Sequence, residues 1–327
     1  MKKTLLVILT VIVLLSVLLL CPSETTYAEI VPIPLDQNKM DDVNPKYYIS
    51  DTEYQDPSLH ITFERGEFYA YHEESKKEKR TNYWVIRIEI ADASQIRTAL
   101  SNYDSRTLSK RGKETWKDND WIKKVNPVLA INGDTFRNNF NGVGRHVVRQ
   151  GVLYADAAKN YNRGFRDFKG FDALIIDDKG DFHIIRSSTE PDFAAFEGTI
   201  VNCFSFGPAI MIDGKPVTDL TEQQFYSKMY GAFICARRIC ICQTGPLSYA
   251  IVQSDGPDDP DKSGLTMAQF AELVSQVEGI QTAYCLDGGS SCRILFNGVS
   301  MDSPYPNTKS SKSRLSDILY FASAYKE

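Results

Sequence analysis

Hydrophobic and polar residues alternate over much of the chain, which is the pattern of half-buried β-strands. The longest alternating stretches are "LHITFERGEFYAYHEE" and "TNYWVIRIEIADA". Shorter stretches of the same kind are "HVVRQGVLYA", "FDALIIDDKGDFHII", "FGPAIMIDGKPV", "ARRICICQ", "LSYAIVQSDG" and "LSDILYFASAY". Apolar strands are also predicted over 128–131, 282–286 and 292–296. The pattern predicts a protein built mainly from strands.

Helical patterns are few. Thr266 and Gln269 form a T-x-x-Q capping box before a one-sided apolar run, and Gly279 stands where such a helix would end. "SQIRTALSNYD" predicts a short helix with Ser94 as its N-cap. We therefore predict an α+β fold, a mixed and curved β-sheet with a few packed helices, in one domain over 46–327.

The N-terminus has the pattern of an export signal. Two lysines precede an apolar run over 5–20, and a small-residue cleavage pattern follows. This predicts a signal peptide over 1–28, removed before Glu29, and a linker over 29–45. An uncleaved membrane anchor is the alternative. Both interpretations predict an extracytoplasmic protein, secreted or at the cell surface, with no membrane contact beyond the signal.

Composition narrows the classes of partner. The chain has 327 residues, 24% of them charged, and a net charge of −5 without a basic patch, so no nucleic acid is expected as a partner. Six cysteines follow the signal, and buried thiols or one or two disulfides are both compatible with an exported protein. These cysteines are Cys203, Cys235, Cys240, Cys242, Cys285 and Cys292.

Two polar clusters stand beside predicted strands, where rigid elements commonly hold functional groups. Asn132-Gly133-Asp134 offers an amide and a carboxylate around a permissive glycine, although an Asx turn would use the same residues. Arg237-Arg238 lies in apolar strand-like text, where one arginine is expected to face a site and the other to face solvent. Its anionic partner is either a structural carboxylate or a substrate phosphate.

The acidic stretch from Gln253 to Gly264 raises the question of a divalent metal such as calcium. Part of it matches an EF-hand loop that starts at Asp259, but Phe270 stands where that loop requires a glutamate, so an EF-hand is excluded. An irregular calcium site and a plain acidic loop both remain open. No cofactor is required by the rest of the sequence.

The fourth cluster, Asp287-Gly288-Gly289-Ser290-Ser291, joins two apolar runs. An Asp-Gly pair in such a place predicts a hairpin turn. Successive glycine N–H groups and serine hydroxyls could equally hold an anion. A serine or cysteine nucleophile is disfavoured, because "GGSSC" is not G-x-S-x-G and no histidine partner can be identified.

Together these clusters resemble the phosphodiester glycosidase family. The resemblance runs over about 128–322, in the order "INGDTF", "GRHVVRQGVLY", "FGPAIMIDGKP", "RRICICQ", "SDG" with "SGLTMAQFAELV", and "AYCLDGGSS". It implies a hydrolase that cuts the bond between the anomeric carbon of a sugar and a phosphodiester. The residues implied as catalytic are Asp134 and Asp287. Those implied to bind substrate or phosphate are Asn132, Arg238, Asp255, Gly288, Gly289, Ser290 and Arg314. The match of Arg238 to the family's arginine implies that Arg237 is the one that faces solvent.

Three functions follow as hypotheses. The first is an exported glycosidase that acts on a sugar-1-phosphodiester in a sugar-phosphate-containing glycan or cell-wall polymer. The second is a carbohydrate-binding protein on the same fold without catalysis, motivated by departures from the family pattern at Thr135, Cys242 and Cys285. The third is a metal-assisted phosphodiesterase, motivated by the acidic stretch.

Overall fold

The alternating segments form β-strands in the structure, a computed structural model that describes residues 29–73, 75–101, 117–134, 146–156, 171–187, 190–218, 220, 232–256, 264–301 and 315–327. In chain order these strands are β1 (Glu29–Ile30), β2 (Tyr48–Ser50), β3 (Glu53–Gln55), β4 (Leu59–His72), β5 (Lys77–Ile90), β6 (Ile96–Leu100), β7 (Leu129–Asn132), β8 (Val147–Arg149), β9 (Val152–Ala155), β10 (Ala173–Asp177), β11 (Phe182–Ile185), β12 (Ile200–Phe204), β13 (Ala209–Ile212), β14 (Lys215–Pro216), β15 (Ile239–Gly245), β16 (Ser248–Ser254), β17 (Thr282–Cys285), β18 (Ile294–Phe296), β19 (Val299–Ser300), β20 (Asp317–Phe321) and β21 (Tyr325–Lys326). The α-helices within the described ranges are α1 (Asp118–Val125), α2 (Glu190–Ala194) and α3 (Met267–Ser275). Short 3₁₀ helices cover Pro45–Tyr47, Ala93–Gln95 and Gly289–Ser291.

Three sheets build the body of the protein, which comprises residues 30–325. Sheet I has nine strands in the order β14-β13-β17-β15-β16-β5-β4-β3-β2. Sheet II has the order β19-β18-β7-β20-β6, and sheet III has the order β11-β10-β12-β8-β9. The α+β class predicted from the sequence is confirmed, although the strands form several sheets where one mixed sheet was predicted.

The main hydrophobic core lies between the sheets. Ile61 of sheet I, Leu129 and Phe321 of sheet II, and Leu174 of sheet III belong to one buried cluster. In β20 the alternate residues Ile318 and Tyr320 belong to a different cluster, so both faces of sheet II are covered.

Helices cover the outer faces of sheets I and II. Phe270 and Val274 of α3 pack against sheet I, and Trp121 and Val125 of α1 pack against sheet II. Across sheets I and II the layers follow in the order α3, sheet I, sheet II, α1. This arrangement buries the apolar face of each element. It leaves the strand ends of sheets I and II as the places where polar groups can gather.

The local helix predictions had mixed outcomes. The capping box of Thr266 and Gln269 is present at α3, but the helix ends at Ser275, and Gly279 lies in the following turn with φ of 87°. The helix predicted from Ser94 is wrong. A 3₁₀ turn capped by Asp92 leads there into β6, because pairing with β20 outweighs the local helix pattern.

The segment predicted to be a linker packs in part on the body of the protein. Ile33 and Met40 are buried with Trp121 and Val125 of α1. The boundary of the domain stays a prediction. Over the described residues, which begin at 29, no helix is long and apolar enough to cross a membrane.

Candidate active site

The segment from Asp287 to Ser291 connects two different sheets. The strand before it, β17, pairs with β13 and β15 of sheet I, whereas β18 after it pairs with β7 of sheet II. The hairpin interpretation is therefore wrong. Asp287, Gly288, Gly289 and Ser290 form a half-buried crossing loop, and Gly289 has a φ of 61° that favours glycine.

Asn132 fastens this loop to sheet II. Its Nδ2 donates to the carbonyl of Asp287 at 2.7 Å, and its Oδ1 accepts from the backbone N–H of Arg293 at 2.9 Å. The Asp287 N–H donates in turn to the carbonyl of Gly133 at 3.3 Å. The amide of Asn132, predicted from the family resemblance to bind substrate, is thus engaged with the protein's own backbone.

Arg237 and Arg238 approach the loop from sheet I. The Gly289 N–H donates to the carbonyl of Arg237 at 2.9 Å. A Cβ at Gly288 would lie 2.9 Å from that carbonyl oxygen and 3.9 Å from Nη1 of Arg238, so glycine permits the close approach. The loop and the guanidinium of Arg238 are direct neighbours.

The side chain of Arg238 is buried and oriented by backbone carbonyls. Its Nε donates to Leu265 O at 3.0 Å and its Nη2 donates to Ile234 O at 2.7 Å. Burial lowers the pKa of Arg238 from its ordinary value, while nearby thiols including that of Cys285 act in the opposite direction. The site thus holds a desolvated cation beside a glycine loop, an arrangement suited to an anionic ligand.

The expectation that Arg237 faces solvent is wrong, because only 2% of its surface is exposed. Both arginines precede β15, so the alternation of a regular strand does not apply to them. The side chain of Arg237 lies against Gly256, where any Cβ would overlap it. Gly256 is therefore needed for packing.

Asp255 follows β16 at the edge of the same region and is buried. Its carboxylate pairs with Arg65 of β4, with 3.2 Å between Oδ2 and Nη2. Ser254, its neighbour, accepts the backbone N–H of Arg238 through Oγ at 3.0 Å. Asp255 therefore lies next to a residue that binds Arg238, and Arg65 contacts its carboxylate from a different strand.

A buried ion cluster lies next to Gly133, the residue whose carbonyl accepts the Asp287 N–H. Nη2 of Arg149 is 3.2 Å from Oδ2 of Asp134 and 2.8 Å from Oδ2 of Asp317. The Ser205 N–H also donates to Oδ2 of Asp134 at 3.2 Å, and the guanidinium carbon of Arg149 lies 4.0 Å from the ring centroid of Phe204. Asp134, predicted to be catalytic, is therefore enclosed and bound by a cation.

Gly133 allows this cluster to form, because a Cβ there would overlap the carboxylate of Asp317. Burial by itself lowers the pKa of Arg149, but the charges of Asp317 and Asp134 outweigh burial, so the pKa is raised and the group stays a cation. Burial raises the pKa of Asp317 to about 7; Arg149 opposes this rise and the charge of Asp134 adds to it.

The raised pKa of Asp317 makes a pH-dependent contribution to stability. An aspartate in an unfolded chain titrates near about 3.9, so the folded protein binds the extra proton from about pH 4 to about pH 7. This contribution is present at low pH and is lost as pH rises through about 7. Asp317→Asn mimics the protonated form, so its stability relative to the unmodified protein should improve by about 2.7 kcal/mol between pH 5 and pH 8. Urea unfolding at both pH values measures this difference, and a constant difference would contradict the assignment.

Three residues of the candidate site were missed in the sequence: Arg149, Asp317 and Arg65. Each of them is a charged residue within a strand-like segment of the sequence. A charged side chain in a buried strand requires a partner of opposite charge, and this pattern could have identified them. Two predictions, Arg314 and the metal ligands proposed around Asp259, lie outside the described residues. Within the described residues, no group of three or more His, Cys, Asp or Glu is placed to hold a metal ion.

The six cysteines from Cys203 to Cys292 are thiols. Cys240 and Cys242 share one face of β15, with 3.5 Å between their sulfurs. Burial raises the pKa of both Cys240 and Cys285 well above that of an ordinary thiol. These thiols pack as apolar groups in the cluster under α3.

Comparison with solved structures identifies related folds. The catalytic domain of the zebrafish N-acetylglucosamine-1-phosphodiester alpha-N-acetylglucosaminidase, auto-inhibited by its pro-peptide, superimposes with a TM-score of 0.58 at 14% identity, over 90% of this chain and 98% of that one. A hypothetical protein from Synechocystis gives 0.46 at 14% identity, over 80% and 62% of the two chains. A protein of Burkholderia pseudomallei described as exported gives 0.45 at 13% identity, over 74% of each.

No curated protein matches the sequence. The family model of the phosphodiester glycosidases does match, over residues 126–322. That range contains the loop, Arg238 and the buried ion cluster, and it is close to the range of the resemblance found in the sequence. Because the match covers more than half of the chain, the protein belongs to the phosphodiester glycosidase family and is a hydrolase.

Proposed function

We propose that this hydrolase cuts the C1–O bond of a sugar-1-phosphodiester resembling N-acetylglucosamine-1-phosphodiester, and leaves a phosphomonoester. One observation carries the proposal: the half-buried loop from Asp287 to Ser290 lies directly beside the buried guanidinium of Arg238. A phosphodiester offers a negative charge for Arg238, and the sugar carbon attached to it would lie within reach of a neighbouring carboxylate.

The chemistry of the leaving group fits this arrangement. A phosphate monoester leaves readily, so the enzyme needs little general-acid assistance and more stabilisation of anionic oxygens. Arg238, the N–H of Gly288 and the N–H and hydroxyl of Ser290 would supply that stabilisation. Gly289, whose own N–H is bound to Arg237, would shape the loop. Arg314, which the family resemblance adds to this set, would contribute a second cation.

We assign the direct catalytic role to Asp287. A carboxylate beside the anomeric carbon stabilises the oxocarbenium-like transition state of glycoside hydrolysis, or activates the water that attacks it. Asp287 is half-buried and therefore accessible, whereas the side chain of Asp134 is fully enclosed with Arg149. We assign Asp134 a positioning role, since its neighbour Gly133 accepts the N–H of Asp287.

We also propose that the enzyme acts outside the cytoplasm, on a glycan or wall polymer that contains sugar phosphate. The basic start, the apolar run and the cleavage pattern within 1–28 support export. Separation of the cytoplasm, the membranes and the culture medium, followed by N-terminal sequencing of the protein in each fraction, tests this proposal. Glu29 as the first residue would support cleavage, and an intact Met1 in the cytoplasm would contradict export.

The site of bond cleavage can be read with isotopic water. The methyl phosphodiester of N-acetylglucosamine 1-phosphate is hydrolysed in ¹⁸O-water and the products are analysed by mass spectrometry. We expect the label in the sugar, as C1–O cleavage requires. Label in the phosphate would indicate a phosphodiesterase instead, and saturable binding without turnover would indicate a carbohydrate-binding protein.

A further inference from the structure

The long hairpin of β4 and β5 extends beyond the core of the protein. The two strands are paired continuously from Leu59↔Ile90 to His72↔Lys77. Side chains of one strand alternate between its faces, so Leu59 and Ile61 share a face with Arg65, Glu67, Tyr69 and Tyr71. The first two are buried in the core between the sheets, and the last four are exposed.

Arg65 marks the point where this face leaves the core. Its guanidinium pairs with buried Asp255 at 3.2 Å and lies 4.9 Å from the ring centroid of Trp84, its cross-strand neighbour. Asp255 directly follows Ser254, which binds the backbone of Arg238. Asn82, the cross-strand partner of Glu67, accepts the Asp255 N–H at 2.8 Å, so the hairpin is held on both strands against the residues that border Arg238.

The opposite face holds the hairpin in place. Phe68 and Ala70 are buried in the cluster that contains α3. Nε2 of Gln269, in the first turn of α3, donates to the carbonyl of Tyr71 at 2.7 Å. Anchoring of this kind fixes the directions of side chains on the other face, so Tyr69 and Tyr71 form a preorganised surface.

This surface combines aromatic and charged groups. Tyr69 is 55% exposed and Tyr71 is 52% exposed, two residues apart on one face and therefore roughly 7 Å apart along the strand. Glu67 accepts from the Tyr69 hydroxyl at 3.3 Å and pairs with Arg80 at 2.9 Å. We define the tyrosine surface as Glu67, Tyr69, Tyr71 and Arg80.

We propose that the tyrosine surface binds the sugar units of a polymeric substrate whose scissile phosphodiester occupies the active site. The apolar faces of sugar rings pack on aromatic rings, and ring hydroxyls hydrogen-bond to tyrosine hydroxyls and to charged side chains. This inference rests on the proposed function and names its substrate class: an extended glycan, longer than a single sugar phosphodiester. The contacts of Arg65 and Asn82 with Asp255 are the reason for choosing the substrate as the occupant, because they place the hairpin beside the candidate active site.

The test compares a short and a long substrate. The short one is the methyl phosphodiester of N-acetylglucosamine 1-phosphate, and the long one is a purified glycan whose N-acetylglucosamine units are joined through 1-phosphodiesters. In the double variant Tyr69→Ala/Tyr71→Ala, we expect the ratio of kcat/KM for the glycan to kcat/KM for the short substrate to fall about tenfold. The control is Ile49→Ala, which removes a side chain of equal exposure from β2 of the same sheet and should leave the ratio unchanged.

A binding measurement separates this inference from the proposed catalysis. Retardation of the protein in a native gel that contains the glycan does not require turnover. Loss of retardation in the double variant, with Ile49→Ala unaffected, supports the tyrosine surface even if neither substrate is hydrolysed. Equal retardation of all three proteins, an unchanged kinetic ratio, or a dimer that the tyrosine substitutions dissociate in sedimentation would overturn it.

Discussion

Asp287→Asn is expected to lower kcat on a sugar-1-phosphodiester by about 10³-fold and to change the free energy of unfolding by less than about 1 kcal/mol. The substitution removes the negative charge and keeps the shape of the side chain. The bonds from Asp287 to Asn132 and Gly133 are made by its main chain, so the loop should stay in place. Steady-state kinetics and urea unfolding measure the two effects.

The chain provides a matched control in a second of its three Asp-Gly pairs. Asp213 and Gly214 join β13 to β14 in a true hairpin, both with positive φ. Asp213→Asn changes the same chemical group in the same dipeptide, and we expect its kcat to stay within about twofold, as is usual for surface substitutions. Near-normal turnover in Asp287→Asn would remove Asp287 from the catalytic role.

The Asp-Gly pairs at Asp213 and Asp287 have similar local sequences but different structures. Each pair lies between apolar runs, so the local pattern predicts a hairpin for both. Only the pair at Asp213 forms one. The loop at Asp287 leads from sheet I to sheet II, because its flanking strands find their partners elsewhere in the chain. Whether an Asp-Gly pair forms a hairpin depends on pairing between strands that are distant in the sequence. The local pattern of residues does not predict that pairing.

Other elements could be predicted from the sequence, because the residues that determine them are close together in it. The capping box before α3 and the alternation in β4 and β5 predicted these elements correctly. The polar ends of β7 and β17 were also identified, and the structure joins them through Asn132 and Asp287. Local chemistry thus located most of the candidate site.

The buried ion cluster could not be predicted in this way. Arg149 and Asp317 are separated by 168 positions, and each is a single charged residue in strand-like sequence. Their pairing depends on sheets II and III meeting beside β7. The pattern does indicate that both need partners, but it does not say which carboxylate meets which cation.

Arg149→Met is expected to destabilise the folded protein by about 3–5 kcal/mol at pH 8. The substitution leaves two carboxylates, Asp134 and Asp317, buried together without their cation. Part of the loss should disappear at pH 5, since the pKa of Asp317 is already about 7 with Arg149 present and rises further without it. Stability of this variant should therefore fall as pH rises, as urea unfolding at both pH values would show.

Two comparisons show whether the effect comes from unpaired buried charge. The triple variant Asp134→Asn/Arg149→Met/Asp317→Asn removes all three charges, so it should recover a large part of the lost stability. Arg87→Met removes a half-buried arginine that lies 3.9 Å from the carboxylate of Glu64 and donates to the carbonyl of Glu278 at 3.3 Å, and it should cost less than about 1 kcal/mol. If the triple variant were no more stable than Arg149→Met, the stability would come from packing around Arg149 and Phe204, and the carboxylates would not be its source.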